Sequence, residues 1–523
     1  MIAIIGAGFG GIATAVQLTR RGIEDFVVFE QFDGPGGVWM ANTYPGCEVD
    51  INSLIYSFSF MPYDWTRTHP SRDELQRYAE DTIDHYKIRD HFRFGCAVES
   101  VEWDDPTSSY RLTLADGTTY RAEVVVAASG FLSRPKYPEL PGLNTFQGPV
   151  FHTARWEHEH DLTGKRVALV GTGSSGIQAT SQLSRYVDQL FVFQREPGWI
   201  VPKRAKPYAP RTRARRRRWP WTQRLERAGQ WLYLDIAVRN AWKVGSIQNR
   251  LFERYCRRYI DKSIRDPKLR ALVTPNYPFA CKRPIFDDNY FHALQRPNVT
   301  LVPLAVKHLT KDGIVATDDS ERKIDAVILA TGFRAQEYLS SLRVRGRGGR
   351  DLHEMWADAP TAFLGITVPD FPNFFIVYGP NTNGGNSIVF QIERQVNAIT
   401  RMITRLGGTN GVIDTKQAAF DRFVTWVDAQ NRKRTDATNF CHNYYHSASG
   451  RNVTQWPLGS VDYWVLTKLL PYFAMKVDRS GHVTANMCID GPALKESGDP
   501  AAGASKSTAL TAHIDTIDRG SQR

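Results

Sequence analysis

The chain has 523 residues, 42% of them hydrophobic and 23% charged, with a formal net charge of +12. These shares are those of an ordinary globular protein, and the length is too great for one core, so two or three domains are expected. No run of about 18 apolar residues occurs, so no membrane-spanning helix is expected, and a chain that starts on a core strand has no room for a cleavable leader, which predicts a cytoplasmic protein.

The first eleven residues, MIAIIGAGFGG, set the organisation. Ile2 to Ile5 form an apolar run of the length of a buried parallel strand, and Gly6, Gly8 and Gly11 fill the three glycine positions of G-x-G-x-x-G. The first glycine permits the tight turn, the second lets backbone approach a pyrophosphate, and the third lets the following helix, about 11–21, pack close to the strand. The helix start offers unpaired N–H groups and a positive dipole end to the phosphates. A second strand, Phe26 to Phe29, runs into Glu30, where the ribose-binding acid of such folds is expected.

Residues 31–58 follow as a glycine-rich loop with Trp39, Tyr44, Tyr56 and Phe58 as apolar mass and Asp50 as an acid placed after it. Ser71, with Glu74 at capping-box spacing, predicts a helix over 71–87. Residues 92–102, 110–115 and 118–123 alternate like antiparallel strands, with Asp116-Gly117 as the turn. Val124 to Ala127 returns to a buried strand with a small-residue exit at Ala128-Ser129-Gly130.

Arg166 to Val170, then Gly171, Gly173 and Gly176 around Ser174 and Ser175, repeat the opening unit. Two copies are far less probable by chance than one. Glu30 lies 24 positions after Gly6, and Arg195 lies the same 24 after Gly171. A carboxylate accepts hydrogen bonds from ribose hydroxyls and repels a 2′-phosphate, which an arginine grips. The first site is therefore expected to hold FAD or NAD, and the second to prefer NADPH.

Lys203 to Arg218 holds nine basic residues and no acid. It reads foremost as a solvated connector, and second as a patch for an anionic membrane surface or a polyanion. No nucleic-acid-binding signature accompanies it. Residues 203–270 are helical in pattern and read as an insertion in the second nucleotide domain. Lys282-Arg283 then stands between aromatic and proline-rich stretches, and locally it is an ordinary exposed basic pair. Strands are expected at Val299 to Val302, Ile324 to Leu329 and Phe374 to Tyr378, with a helix from Ile392. Six cysteines, at 47, 96, 256, 281, 441 and 488, show no C-x-x-C pair and no metal-ligand spacing, and read as reduced thiols. The absence of a pair beside the first glycine turn argues against a flavin disulfide reductase.

Two longer patterns make the chain similar to the single-component, type I Baeyer–Villiger monooxygenases. The first, [A/G]-G-x-W-x-x-x-x-[F/Y]-P-[G/M]-x-x-x-D, is met by Gly36, Gly37, Trp39, Tyr44, Pro45, Gly46 and Asp50. The second, F-x-G-x-x-x-H-x-x-x-W-[P/D], is met by Phe146, Gly148, His152 and Trp156, with Glu157 as a departure at its last position. The resemblance runs from residue 1 to about 476, and residues 379–395 and 449–467 look most like the 4-hydroxyacetophenone monooxygenase branch.

The resemblance implies an α/β fold with two Rossmann-like dinucleotide-binding domains, FAD on 1–145 and 335–490 and NADPH on 146–334, while the last residues, rich in Ala, Gly, Ser and Thr without periodicity, read as a disordered tail over 491–523. It implies that Gly37, Val38, Trp39, Asp50 and Tyr56 join the flavin site, that Lys282 contacts the NADPH phosphate with Arg195, and that Arg283 is the active-site arginine oriented by Asp50. The implied reaction uses NADPH and O₂ to place an oxygen atom beside a ketone carbonyl through a peroxyflavin, giving an ester or lactone. An N- or S-oxygenating flavin monooxygenase and a non-oxygenating flavoprotein reductase are the alternatives.

Overall fold

The computed structural model describes residues 1–478 apart from 244, 385–386, 407–410 and 435–442, so the tail expected over 491–523 lies outside the described residues. Two five-stranded parallel sheets organise it. In the first, Ile2–Ile5 lies between Phe26–Phe29 and Val124–Ala127, with Phe374–Ile376 and Phe92–Arg93 at the edges. All four residues of the central strand are buried. A sheet covered on both faces needs such continuous apolar runs, and this is why they were legible as strands. The register pairs Ile2 with Phe26 on one side and with Val124 on the other.

The second sheet repeats the plan: Arg166–Val170 lies between Gln189–Phe193 and Ala326–Leu329, flanked by Val299–Val302 and Val150–His152. Each central strand feeds a helix directly, Phe9–Thr19 in the first copy and Ser174–Leu183 in the second. The long helix Ile388–Leu406 packs against the first of these.

The chain crosses between the sheets twice, and the two crossings run side by side. Lys136 N–H donates to the Gly332 carbonyl at 2.8 Å, and Arg334 N–H to the Arg134 carbonyl at 3.0 Å.

Some expectations need correction. Residues 92–102 do not form one strand: Phe92–Arg93 joins the parallel sheet, and Val98–Asp104 begins a separate antiparallel meander with Ser109–Leu114 and Thr119–Ala122. Gly95, at φ +66°, makes the break that the apolar pattern alone concealed. The helix after Ser71 forms as Arg72–His85, but no side chain caps it. Glu74 turns instead to Thr66, accepting from its N–H at 2.7 Å and its hydroxyl at 2.9 Å.

The arginine-rich stretch is not a loose connector. Pro210–Arg218 is a helix, followed by helices Pro220–Arg239, Ile247–Ser263 and Pro267–Val273. Arg213 and Arg217 pair with Asp64, Arg215 and Arg216 with Glu226, and Arg216 lies over the Tyr208 ring. Lys203 is no surface cation at all: its side chain is fully buried and donates to Glu48 at 2.7 Å. The cysteine reading is also corrected, since Cys281 is disulfide-bonded while Cys47, Cys96 and Cys256 are free thiols.

Candidate active site at the junction of the two sheets

The glycines of each turn divide their work as the local sterics require. Gly6 and Gly171 sit at φ +103° and +109°, and a Cβ on either would lie 2.8 or 2.5 Å from a carbonyl oxygen of the neighbouring strand exit, at Ala128 or Ala330. A Cβ on Gly11 or Gly176 would lie 1.8 or 2.1 Å from the carbonyl oxygen of the first glycine in its own turn. The middle glycines are open: a Cβ on Gly8 would meet only Gly37 Cα, at 3.6 Å, and one on Gly173 nothing within 4 Å. No side chain caps either helix start. Free first-turn N–H groups behind an open glycine face fit a pyrophosphate at both turns.

Glu30 is 4% exposed and already accepts from Ala7 N–H at 2.6 Å and Phe32 N–H at 3.0 Å. Burial pushes its carboxyl up, against those two bonds. An ionised carboxylate has about four acceptor sites, so two remain for ribose hydroxyls. Arg195 is exposed just past Gln189–Phe193. Lys282 comes to the same corner, where it pairs with Glu196, the neighbour of Arg195, and lies 5.0 Å from the Tyr277 ring centroid. Lys282, 87 positions beyond Arg195 in sequence, is thus tied to that arginine's neighbour.

The glycine-rich loop bridges the two sheets. Gly36 and Gly37 have φ of +120° and +58°, and Val38–Ala41 is a short helix rather than loop, with Val38 outward. Trp39 donates from its indole N–H to the Tyr56 hydroxyl at 3.2 Å, and its carbonyl accepts from Arg72. Tyr44 donates to Gln178 Oε1 at 2.7 Å, and Gln178 donates on to the Glu48 carbonyl. Gly46 lies against the same helix, where a Cβ would sit 2.9 Å from the Gln178 carbonyl oxygen. This loop brings Asp50 to Arg283, whose guanidinium donates to Asp50 Oδ2 at 2.5 Å across 233 positions of chain.

Burial pushes the Asp50 carboxyl up, but the charge and hydrogen bond of Arg283, with Lys203 beyond, outweigh it and hold the group below its ordinary value. Asp50 in turn holds Arg283 well above its ordinary range, against burial. Both stay ionised. Tyr56 is buried within reach of both charges and Tyr378 within reach of Arg283, on which Tyr444 and Tyr445 also act. Tyr378, Tyr445 and Lys203 were missed by sequence reasoning. For Tyr378 a signal existed, since it directly precedes a Gly-Pro turn, and it occupies φ +61°, rare for a bulky residue.

His152 is fully buried at the end of Val150–His152 and accepts from Ala154 N–H at 3.0 Å. The rings of Tyr137 and Phe333, one from each crossing, lie 5.4 and 6.0 Å from it. Burial lowers it to about 4, so it is neutral. Its place is between the two crossings and not beside Arg283.

Two glycine turns on two parallel sheets, with one arginine–carboxylate pair joining them, define the class of oxidoreductases built on two dinucleotide-binding folds. Comparison with known proteins narrows this. Residues 1–340 match the flavin-binding monooxygenase-like family. The chain is 39% identical over 461 residues to a Baeyer–Villiger monooxygenase of Streptomyces coelicolor, covering 87% of this chain and 88% of that one. It is 37% identical over 460 residues to one of Pseudomonas aeruginosa, covering 87% of each. Among solved structures it is similar to cyclohexanone monooxygenase from Rhodococcus sp. Phi1 bound to NADP+, with a TM-score of 0.81, 27% identity, and 92% and 99% of the two chains covered. An oxidized steroid monooxygenase bound to NADP matches with a TM-score of 0.82 and 27% identity over 91% of this chain and 99% of that one. The chain belongs to the flavin-binding monooxygenase-like family and, within it, to the Baeyer–Villiger monooxygenases.

Proposed function

We propose that this chain uses NADPH and O₂ to insert one oxygen atom beside a ketone carbonyl, giving an ester or lactone, and that Arg283 is its catalytic residue. The observation that carries the reading is the Arg283–Asp50 pair at the junction of the two sheets. Gly6, Gly8, Gly11 and Glu30, with Gly37, Val38, Trp39 and Tyr56, would hold FAD. Gly171, Gly173, Ser174, Ser175, Gly176, Arg195 and Lys282 would hold NADPH. When bound, FAD and NADPH would supply the reducing equivalents and the site of oxygen activation.

The chain itself supplies charge, orientation and dryness. Oxygen insertion next to a carbonyl passes through an adduct with negative charge on the former carbonyl oxygen. A guanidinium cannot give up its proton at working pH, so Arg283 offers that oxygen a fixed positive donor without risk of quenching it by proton transfer. Asp50 is the positioning residue, because its short bond fixes the direction of the fork. Buried Tyr56, Tyr378 and the Trp39 ring keep water from the same space.

The domains proposed with this reading are 1–145 with 335–490 for FAD and 146–334 for NADPH. An NADPH-consuming enzyme works where NADPH is maintained, so the cytoplasm is the proposed compartment. Residues 379–395 and 449–467 support the 4-hydroxyacetophenone branch as the finer assignment. The test is Arg283→Ala. Flavin bleaching by NADPH should persist while ester formation is lost, and ester formation near the wild-type rate would refute the assignment.

A further inference from the structure

One side of the molecule, built on elements that contribute nothing to the pair at Arg283, has an unusual surface. In helix Ser460–Leu469 and the turn of helix Pro471–Ala474, Tyr463 and Thr467 face inward. Trp464, Val465, Leu469, Tyr472 and Phe473 face outward, and Phe473 is 74% exposed. Spacings of three to five residues place them on one outer stripe, in which Lys468 is the only charged residue of 463–474 and Arg405 lies 5.0 Å from the Tyr472 ring centroid. A contiguous apolar stripe of this kind marks an interaction site rather than ordinary surface.

A cleft of about 220 Å³ opens beside the stripe, lined by four cations, Arg21, Arg394, Arg401 and Lys468, together with Trp464. No carboxylate lines it among the described residues. Arg401 donates to the Thr467 carbonyl at 2.9 Å, fixing it to the helix that carries the stripe. Arg394 has Glu393 at 3.6 Å, but Glu393 is 2% exposed and shared with Ser59 N–H and Arg227, and Arg394 Nε has no hydrogen-bond partner. Burial pushes Arg401 below its ordinary value, against Tyr472 and with the charges of Arg21 and Arg394. A cluster of mutually repelling guanidinium groups around a cleft is relieved by an anion.

We propose that this face docks the protein on an anionic phospholipid surface, with a lipid phosphate in the Arg21–Arg394–Arg401–Lys468 cleft and the Trp464–Phe473 stripe in the headgroup–acyl boundary. Charge complementarity selects this occupant. A second copy bound through the same patch about a two-fold axis would set the four cations against themselves. An anionic leaflet attracts them, and aromatic side chains with a polar edge suit the interface. No helix of the described residues is long and apolar enough to cross a membrane, so the contact is peripheral.

The surface extends onto the insertion. Leu225, Leu232 and Ile236 form an exposed row on Pro220–Arg239, and that helix is tied to the start of the stripe helix by Arg239 and Asp462 at 2.9 Å.

The test is flotation of the full flavin-loaded chain with vesicles of phosphatidylcholine alone and of phosphatidylcholine mixed with phosphatidylglycerol. Binding is expected only to the mixed vesicles. Lys468→Gln should weaken it about fivefold, as expected for one cation near such a surface. Phe473→Ser should weaken it about tenfold through lost apolar burial. Both positions are exposed, so flavin content and NADPH oxidation should not change. Equal binding to both vesicle types, no binding, or binding indifferent to both variants would overturn the proposal. So would concentration-dependent self-association that the same variants abolish, because the face would then join copies of this chain.

Discussion

Replacing Asp50 by Asn removes one charge from the junction of the two sheets while keeping the volume of the side chain. In the native site the carboxylate accepts from Arg283 at 2.5 Å, with the Asp50 side chain 17% exposed and that of Arg283 39% exposed. Losing one partner of a fully buried pair costs about 3–5 kcal/mol, and a hydrogen bond to a charged group contributes about 1.5–3 kcal/mol. The Arg283 end is open enough for water to compensate in part, so about 2 kcal/mol of orienting energy should be lost. That corresponds to about 30-fold in the step that depends on the direction of the guanidinium.

The assay separates this from a general defect. Stopped-flow bleaching of the flavin by NADPH should stay near wild type, while ester formed per NADPH consumed falls and hydrogen peroxide rises. Asp50→Glu should recover part of the coupling, which an unfolding effect would not. Unchanged coupling in Asp50→Asn would refute the positioning role. Because Arg283 holds Asp50 below its ordinary value, the pair is complete at neutral pH and above, and fails only as pH falls through that lowered value.

The two glycine turns should be separable. A methyl on Gly11 would lie 1.8 Å from the Gly6 carbonyl oxygen and one on Gly176 2.1 Å from that of Gly171, so each alanine variant should lose about 1–3 kcal/mol by overpacking. Gly11→Ala is expected to purify with depleted flavin, and Gly176→Ala to keep flavin but bind NADPH weakly; flavin loss in both equally would contradict the assignment of the turns. Arg195→Ala should raise KM for NADPH about tenfold, the worth of a charge-assisted bond at an exposed site, and leave KM for NADH unchanged. Glu196→Gln, which frees Lys282, should lower KM for NADPH, and an increase would show that the pair only braces the corner. His152 and His69 are buried and each lowered to about 4 from 6.5. The unfolded chain therefore takes up their protons first, and stability should be full above pH 6.5 and decline toward pH 4, by up to about 3 kcal/mol for each histidine. Denaturation midpoints across that range should lose part of their slope in His152→Gln; an unchanged slope would show that His152 titrates normally.

What could be read from the sequence was what local sterics and periodicity dictate. The strands Ile2–Ile5, Phe26–Phe29, Val124–Ala127 and Arg166–Val170 were legible to the residue, because a strand buried on both faces must be a continuous apolar run. The first and last glycines of each turn were legible because no side chain fits where they stand, and the middle ones because an open face is what a pyrophosphate needs. The contrast of Glu30 with Arg195 needed only the repeat and a count of positions.

Other features depended on which distant groups came to meet. Lys203 opens a run of nine basic residues, and nothing near it in sequence says that its amine is buried against Glu48. Glu74 has capping-box spacing, yet Thr66 offers it two donors, and the helix start goes without. Lys282-Arg283 reads locally as an exposed pair; the family resemblance implied Asp50 as the partner of Arg283, and the fold brings those two together and sends Lys282 to Glu196. Tertiary structure decided these cases because a charge is satisfied by the nearest opposite group in space, and sequence distance does not enter Coulomb's law.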